Sequence, residues 1–166
     1  MGRWHAHAVV QAGHAVVAVV DPEAARAAEL AARHSGAQPA PDLAAALASG
    51  RVEVVHVCAP LALHARLIEE ALRAGCHVVA EKPLAPDAAT TRALLALADE
   101  RERLLVPVHQ FLFQRGVLDA LELLPAIGPI LHLDAVACTA GAAQLDAAGR
   151  DRVEVQDRSD GRQQLQ

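Results

Sequence analysis

The chain is punctuated by short apolar runs rich in β-branched residues, each followed by a stretch with helical spacing. Residues 3–12 carry apolar side chains at Ala6, Ala8, Val9 and Val10 and meet a natural stop at Gly13, so they predict a helix. Ala15 to Val20 is an unbroken apolar run ending at Asp21-Pro22. Such a run predicts a strand covered on both faces. An Ala-rich helix follows over 23–34. Pro39 and Pro41 allow residues 37–41 only a short extended piece away from a sheet centre, and Asp42 can cap a brief helix to about Ala48.

The pattern then repeats. Val52 to Cys58 reads as a second buried strand, ending at Ala59-Pro60. Residues 61–74 predict the clearest amphipathic helix, with Arg66, Glu69, Glu70 and Arg73 on one face and Leu61, Ala65, Ile68 and Leu72 on the other. Gly75 ends it, residues 76–80 form a strand, and Glu81-Lys82-Pro83 makes a turn. Pro86 and Asp87 open a helix to about Arg101, and residues 104–108 form a strand near a sheet edge because of Pro107. A helix over 112–125, stopped by Pro125 and Gly128, leads to a strand over 130–138 with one wet face. Beyond Gln144 the chain is rich in Asp, Arg, Gln and Gly and lacks apolar periodicity, so a disordered tail is expected over 144–166.

Strands and helices alternating at this spacing define an α/β fold: a doubly wound parallel sheet with helices on both faces. Ligands of such sheets lie beyond the carboxyl ends of the strands. The residues to inspect are therefore Asp21, Cys58-Ala59-Pro60, Glu81-Lys82-Pro83 and Val108-His109-Gln110.

Composition narrows the function. The net charge of −5, with acids and bases interspersed, argues against a protein held to nucleic acid by phosphate contacts. An aromatic content of 2%, with no Tyr, argues against base-stacking platforms. No apolar run reaches the roughly 18 residues of a membrane span, and the amino terminus lacks a signal-peptide layout, so a cytoplasmic protein is expected. Cys58, Cys76 and Cys138 have no C-x-x-C spacing and read as small buried residues in a reducing compartment. The histidines are scattered, and His5 and His7 point to different sides of a helix, so no metal site is expected. Lys82 is the only lysine among 15 Lys and Arg residues. It is either a chance surface residue or a site where a compact ammonium on a flexible stem is needed instead of a guanidinium fork. Asp21 suits either of two tasks, capping the next helix or accepting hydrogen bonds from an adenosine ribose.

Six landmarks in order resemble the glucose–fructose oxidoreductase / inositol dehydrogenase family (Gfo/Idh/MocA). They are Met1-Gly2-Arg3-x-His5-Ala6, Asp21-Pro22, Cys58-Ala59-Pro60-x-x-x-His64, Glu81-Lys82-Pro83-Leu84-Ala85, Val108-His109-Gln110 and Ile127-Gly128-Pro129-Ile130. The resemblance covers about residues 1–140 and implies a Rossmann domain over 1–126, the start of a second α/β domain over 127–143, and NAD as cofactor. It further implies that Gly2, Asp21, Cys58, Ala59, Pro60, His64, Glu81, Lys82 and His109 form the cofactor cleft. Asp21 would favour NAD over NADP, because a carboxylate repels a 2′-phosphate. Lys82 would stand beside the nicotinamide and a sugar- or polyol-like hydroxyl and act in catalysis, with Glu81 orienting it. Glu81 could equally form a structural ion pair, and His64 and His109 could be satisfied locally.

The resemblance is partial. Met1-Gly2 matches only the end of the family's glycine-rich turn, and its first strand, expected between the strands at 15–20 and 52–58, has no counterpart. Only the first strand of the second domain is matched. The expectation is therefore a truncated, impaired NAD(P)-dependent oxidoreductase, whose full-length parent would act on a small sugar-like molecule and form homo-oligomers. The alternative is a non-catalytic nucleotide-binding or interaction module that uses its open sheet edges.

Overall fold

The computed structural model describes residues 1–137 and 151–155. Contacts divide the chain into two compact units, Met1–Gln110 and Phe111–Gln166.

The first unit opens with α1 (Gly2–Gln11). Its end is a Schellman turn: Gly13 takes φ +82°, its amide bonds to the Val10 carbonyl at 3.0 Å, and the His14 amide to Val9 at 3.1 Å. Then come β1 (Ala18–Val20), α2 (Ala24–Ala31), β2 (Gln38–Ala40), α3 (Leu43–Leu47), β3 (Val54–Val57), α4 (Leu61–Arg73), β4 (His77–Ala80), α5 (Ala88–Glu100) and β5 (Leu105–Pro107). Asp42 and Asp87 cap α3 and α5, accepting from the amides of Ala45 at 2.8 Å and Thr90 at 2.7 Å. Gly75, at φ +83°, closes α4 with a second Schellman turn.

All strand pairs of this unit are parallel. β1 pairs with β2, and β3, β4 and β5 form a second ladder in that order. Pro39 and Pro107 lie on β2 and β5, which each have one neighbour, as the missing proline amide requires. Among the described residues β1 and β3 share no ladder, so each keeps an unpaired edge. This corrects the expectation that both strands are fully buried. Val20 is 41% and Val54 43% exposed, because no strand lies against their outer edges.

The core lies between α4, β3, β4 and α5. Ile68, Ala71 and Leu72 of α4 meet Val57, Val78 and Ala80, with Leu84, Leu94 and Ala98 closing the cluster. Full burial of Ile68 and Leu72 contributes about 1.5–3 kcal/mol each. The inward stripe of α4 is His64, Ile68, Ala71 and Leu72, so Leu61 is displaced from the core. On the outer face Arg66 pairs with Glu70 at 3.0 Å and Arg73 with Glu69 at 2.8 Å.

A 3-10 turn at Gln110–Phe113 precedes α6 (Arg115–Ile127), which belongs to the second unit. The compact first unit closes at Gln110. α6 runs through Pro125, which forgoes the amide bond to the Leu121 carbonyl, and stops at Gly128, at φ +74°. β6 (Leu133–Ala137) pairs antiparallel with β7 (Asp151–Val155). Residues 151–155, expected in an unstructured tail, alternate Val153 and Val155 with polar residues and supply this strand. The rest of the expected tail lies outside the described residues. No described helix is long and apolar enough to cross a membrane.

Candidate active site

The carboxyl ends of β1, β3, β4 and β5 carry Asp21, Cys58-Ala59-Pro60, Glu81-Lys82-Pro83 and Val108-His109. Parallel register brings the last three sets together. Val57 is opposite Ala80 and Ala80 opposite Pro107, the Glu81 amide bonds to the Val57 carbonyl at 2.9 Å, and the Val108 amide to the Ala80 carbonyl at 2.8 Å.

Lys82 is exposed at this edge, and the Lys82–Pro83 peptide is cis. A flexible ammonium in an open position can approach a ligand oxygen. Glu81, in contrast, is 8% exposed. Its Oε1 lies 3.2 Å from His5 Nε2 of α1, and His5 Nδ1 lies 3.0 Å from His56 Nδ1 on β3. Glu81 thus makes the structural pairing that the sequence also allowed: successive residues of an extended segment point to opposite sides, and Glu81 turns inward to His5 of α1. His5 entered the sequence reading as part of a motif and in the metal pair set aside there, and His56 not at all. The one signal for His56 was a polar residue interrupting the apolar run of β3. Burial, and secondarily His5, hold the His56 imidazole below its ordinary pKa.

Cys58 is half-buried beside this cluster. Burial foremost, then the Glu81 charge, push its thiol up to about 11, against a lowering effect of the amino terminus. It is therefore a neutral thiol near pH 7 and no nucleophile. His109 is exposed, as is Pro60, while Ala59 is half-buried.

His64 takes the second option the sequence left open, a histidine satisfied locally. It is 2% exposed, with Nε2 2.8 Å from the Ala59 carbonyl and Nδ1 2.8 Å from the Pro83 carbonyl. A ring so enclosed meets no ligand directly; it joins two loops that can.

The residues present suit a dinucleotide in two respects. Met1 offers α1 no side-chain cap, so the first-turn amides at Gly2 are open to an anion such as a pyrophosphate. Asp21 Oδ1 accepts from the Glu23 amide at 2.8 Å, which leaves its second oxygen without a partner among the described residues. Asp21 thus shapes its own turn and still presents an acceptor at the end of β1.

Comparison with known proteins places this geometry. Residues 1–109 match the family model of oxidoreductases with an NAD-binding Rossmann fold, Gfo/Idh/MocA. The dTDP-3,4-didehydro-2,6-dideoxy-alpha-D-glucose 3-reductase of Actinomadura kijaniata is 42% identical over 90 residues, covering 52% of this chain and 27% of that protein. The structure of GenD2 from gentamicin A biosynthesis, in complex with NAD, superposes with a TM-score of 0.71 at 32% identity, covering 74% of this chain and 35% of that one. The 3-ketoreductase KijD10 of Actinomadura kijaniata, in complex with NADP and TDP-benzene, superposes with a TM-score of 0.64 at 35% identity, covering 68% and 34%. The chain thus spans about a third or less of the length of these relatives. With its parallel Rossmann-like sheet, its exposed lysine beyond β4 and its match over residues 1–109, the chain belongs to the Gfo/Idh/MocA oxidoreductase family.

Proposed function

We propose that this domain binds NAD and serves an oxidoreductase that moves a hydride between the nicotinamide and a hydroxyl or carbonyl of a sugar. The observation that carries the reading is Lys82, the only lysine of the chain, exposed at the carboxyl end of β4 beside the Cys58–Pro60 turn. The nicotinamide, when bound, accepts or donates the hydride. As the neutral amine, Lys82 Nζ would take the hydroxyl proton when an alcohol is oxidised; as the ammonium it would return that proton to the developing alkoxide, and stabilise its charge, when a ketone is reduced. Glu81 and His5 anchor α1, whose open first turn holds the pyrophosphate. Asp21 accepts from the ribose of the adenosine half, which favours NAD over NADP.

The sugar class is supported by relatives that are named as a nucleotide-sugar 3-reductase or carry a TDP compound beside NADP. Because both NAD and NADP occur among the related structures, the preference for NAD rests on Asp21. Calorimetric titration of the chain with NAD and NADP tests the reading. Saturable binding, tighter for NAD, is expected; no binding of either nucleotide at millimolar concentration overturns it.

A further inference from the structure

Two turns at the carboxyl ends of β3 and β4 each contain an X-Pro bond, Ala59-Pro60 and Lys82-Pro83. Proline has no amide hydrogen, so each turn is short of one backbone donor. Carbonyls left without a backbone partner in such turns are met by water or by a side chain. One side chain meets both. His64, in the first turns of α4, places Nε2 on the Ala59 carbonyl and Nδ1 on the Pro83 carbonyl, both at 2.8 Å, with the ring 2% exposed. Carbonyls only accept, so a neutral ring donates to one of them and an imidazolium to both. Pro83 directly follows Lys82. The ring therefore fixes the backbone next to the lysine relative to the turn at Cys58–Pro60.

We propose that His64 is a positioning residue: a buried clamp that holds the Lys82 turn against the Cys58–Pro60 turn. The β3–β4 ladder alone does not do this, since its last hydrogen bond at this end is that of the Glu81 amide to Val57, just before Lys82. Past that point the chain leaves the ladder, and the Pro83 carbonyl contact continues the hydrogen-bonded constraint up to the buried Leu84. That Lys82 is the functional group so placed rests on the proposed function; the clamp itself does not.

The clamp makes a prediction about location. In a His64→Leu chain, NMR-resolved hydrogen exchange at the Glu81 and Val108 amides, at the carboxyl end of the ladders, should accelerate about tenfold, the scale of one lost buried hydrogen bond. The amides of His77 and Val78, at the opposite end and bonded to Glu53 and Leu104, should keep their native rates. His64→Gln, which retains one donor group, should fall between. Equal acceleration at both ends, or none, overturns the clamp, because a residue of general packing value loosens both.

A second readout concerns Lys82. Reductive methylation with 13C-formaldehyde gives a single lysine side-chain signal. In the native chain NADH should shift it, and in His64→Leu the shift reached at saturating NADH should fall about twofold or more. A saturated shift of unchanged size overturns the positioning role. A native signal indifferent to NADH overturns both the proposed function and the role assigned through Lys82, and the exchange rates then decide the clamp alone.

Discussion

Removal of the Glu81 side chain isolates the link between the sheet and α1. α1 fully buries one residue, Ala6, and half-buries Val9, so its apolar anchorage is about 1–2 kcal/mol. The other anchor is His5 Nε2 against Glu81 Oε1 at 3.2 Å, with both side chains 11% exposed. Hydrogen bonds to charged groups contribute about 1.5–3 kcal/mol. Strong charge-assisted bonds are about 2.7–2.9 Å long, so a longer one belongs at the low end of that range, about 1.5 kcal/mol. The polar contact is therefore of the same size as the apolar one in docking this helix. A double-mutant cycle of Glu81→Leu and His5→Phe, read by urea unfolding with circular dichroism, should give a coupling energy of about 1.5 kcal/mol. A coupling below about 0.5 kcal/mol, the scatter expected of independent sites, would refute the reasoning. If Glu81 instead orients Lys82, the coupling should move to the pair Glu81→Leu and Lys82→Met.

Three further outcomes follow from the site. Lys82→Ala should slow hydride transfer by about 10²–10⁴-fold while changing NADH affinity little, as measured by steady-state rates and fluorescence titration; equal losses in both point to a structural lysine. Asp21→Asn should weaken NAD relative to NADP by about tenfold, since it removes the charge that repels a 2′-phosphate; calorimetry reads the ratio, and an unchanged ratio removes Asp21 from cofactor choice. Burial and His5 lower the His56 pKa, so the unfolded chain binds the proton more readily than the folded one. Stability is then full above the ordinary imidazole value of about 6.5 and declines as pH falls below it; urea midpoints at stepped pH should show this slope, and His56→Asn should flatten it.

Much of the fold was legible in the chain because its signals are local. Gly13 and Gly75 end helices where only a left-handed residue completes a Schellman turn, and Asp42 and Asp87 begin helices by capping them. The prolines of β2 and β5 marked edge strands because they cannot donate to a second neighbour. Strand burial was misread from composition, since the apolar runs of β1 and β3 do not reveal whether a neighbour covers their edges. Leu61 was placed in the core by helical spacing and is instead exposed, because the inward stripe of α4 is centred nearer Ile68.

The sequence by itself determined the parallel α/β order and put Asp21, Cys58-Ala59-Pro60, Glu81-Lys82-Pro83 and His109 at carboxyl strand ends. Period and turn chemistry are properties of neighbouring residues, and strand ends follow from them. Partnership across the chain is another matter. Only the tertiary structure turned Glu81 away from Lys82 toward His5, 76 positions earlier, joined His5 to His56, and buried His64 between the carbonyls of Ala59 and Pro83. A side chain's hydrogen-bond partner depends on which elements pack against it, and no periodicity records that.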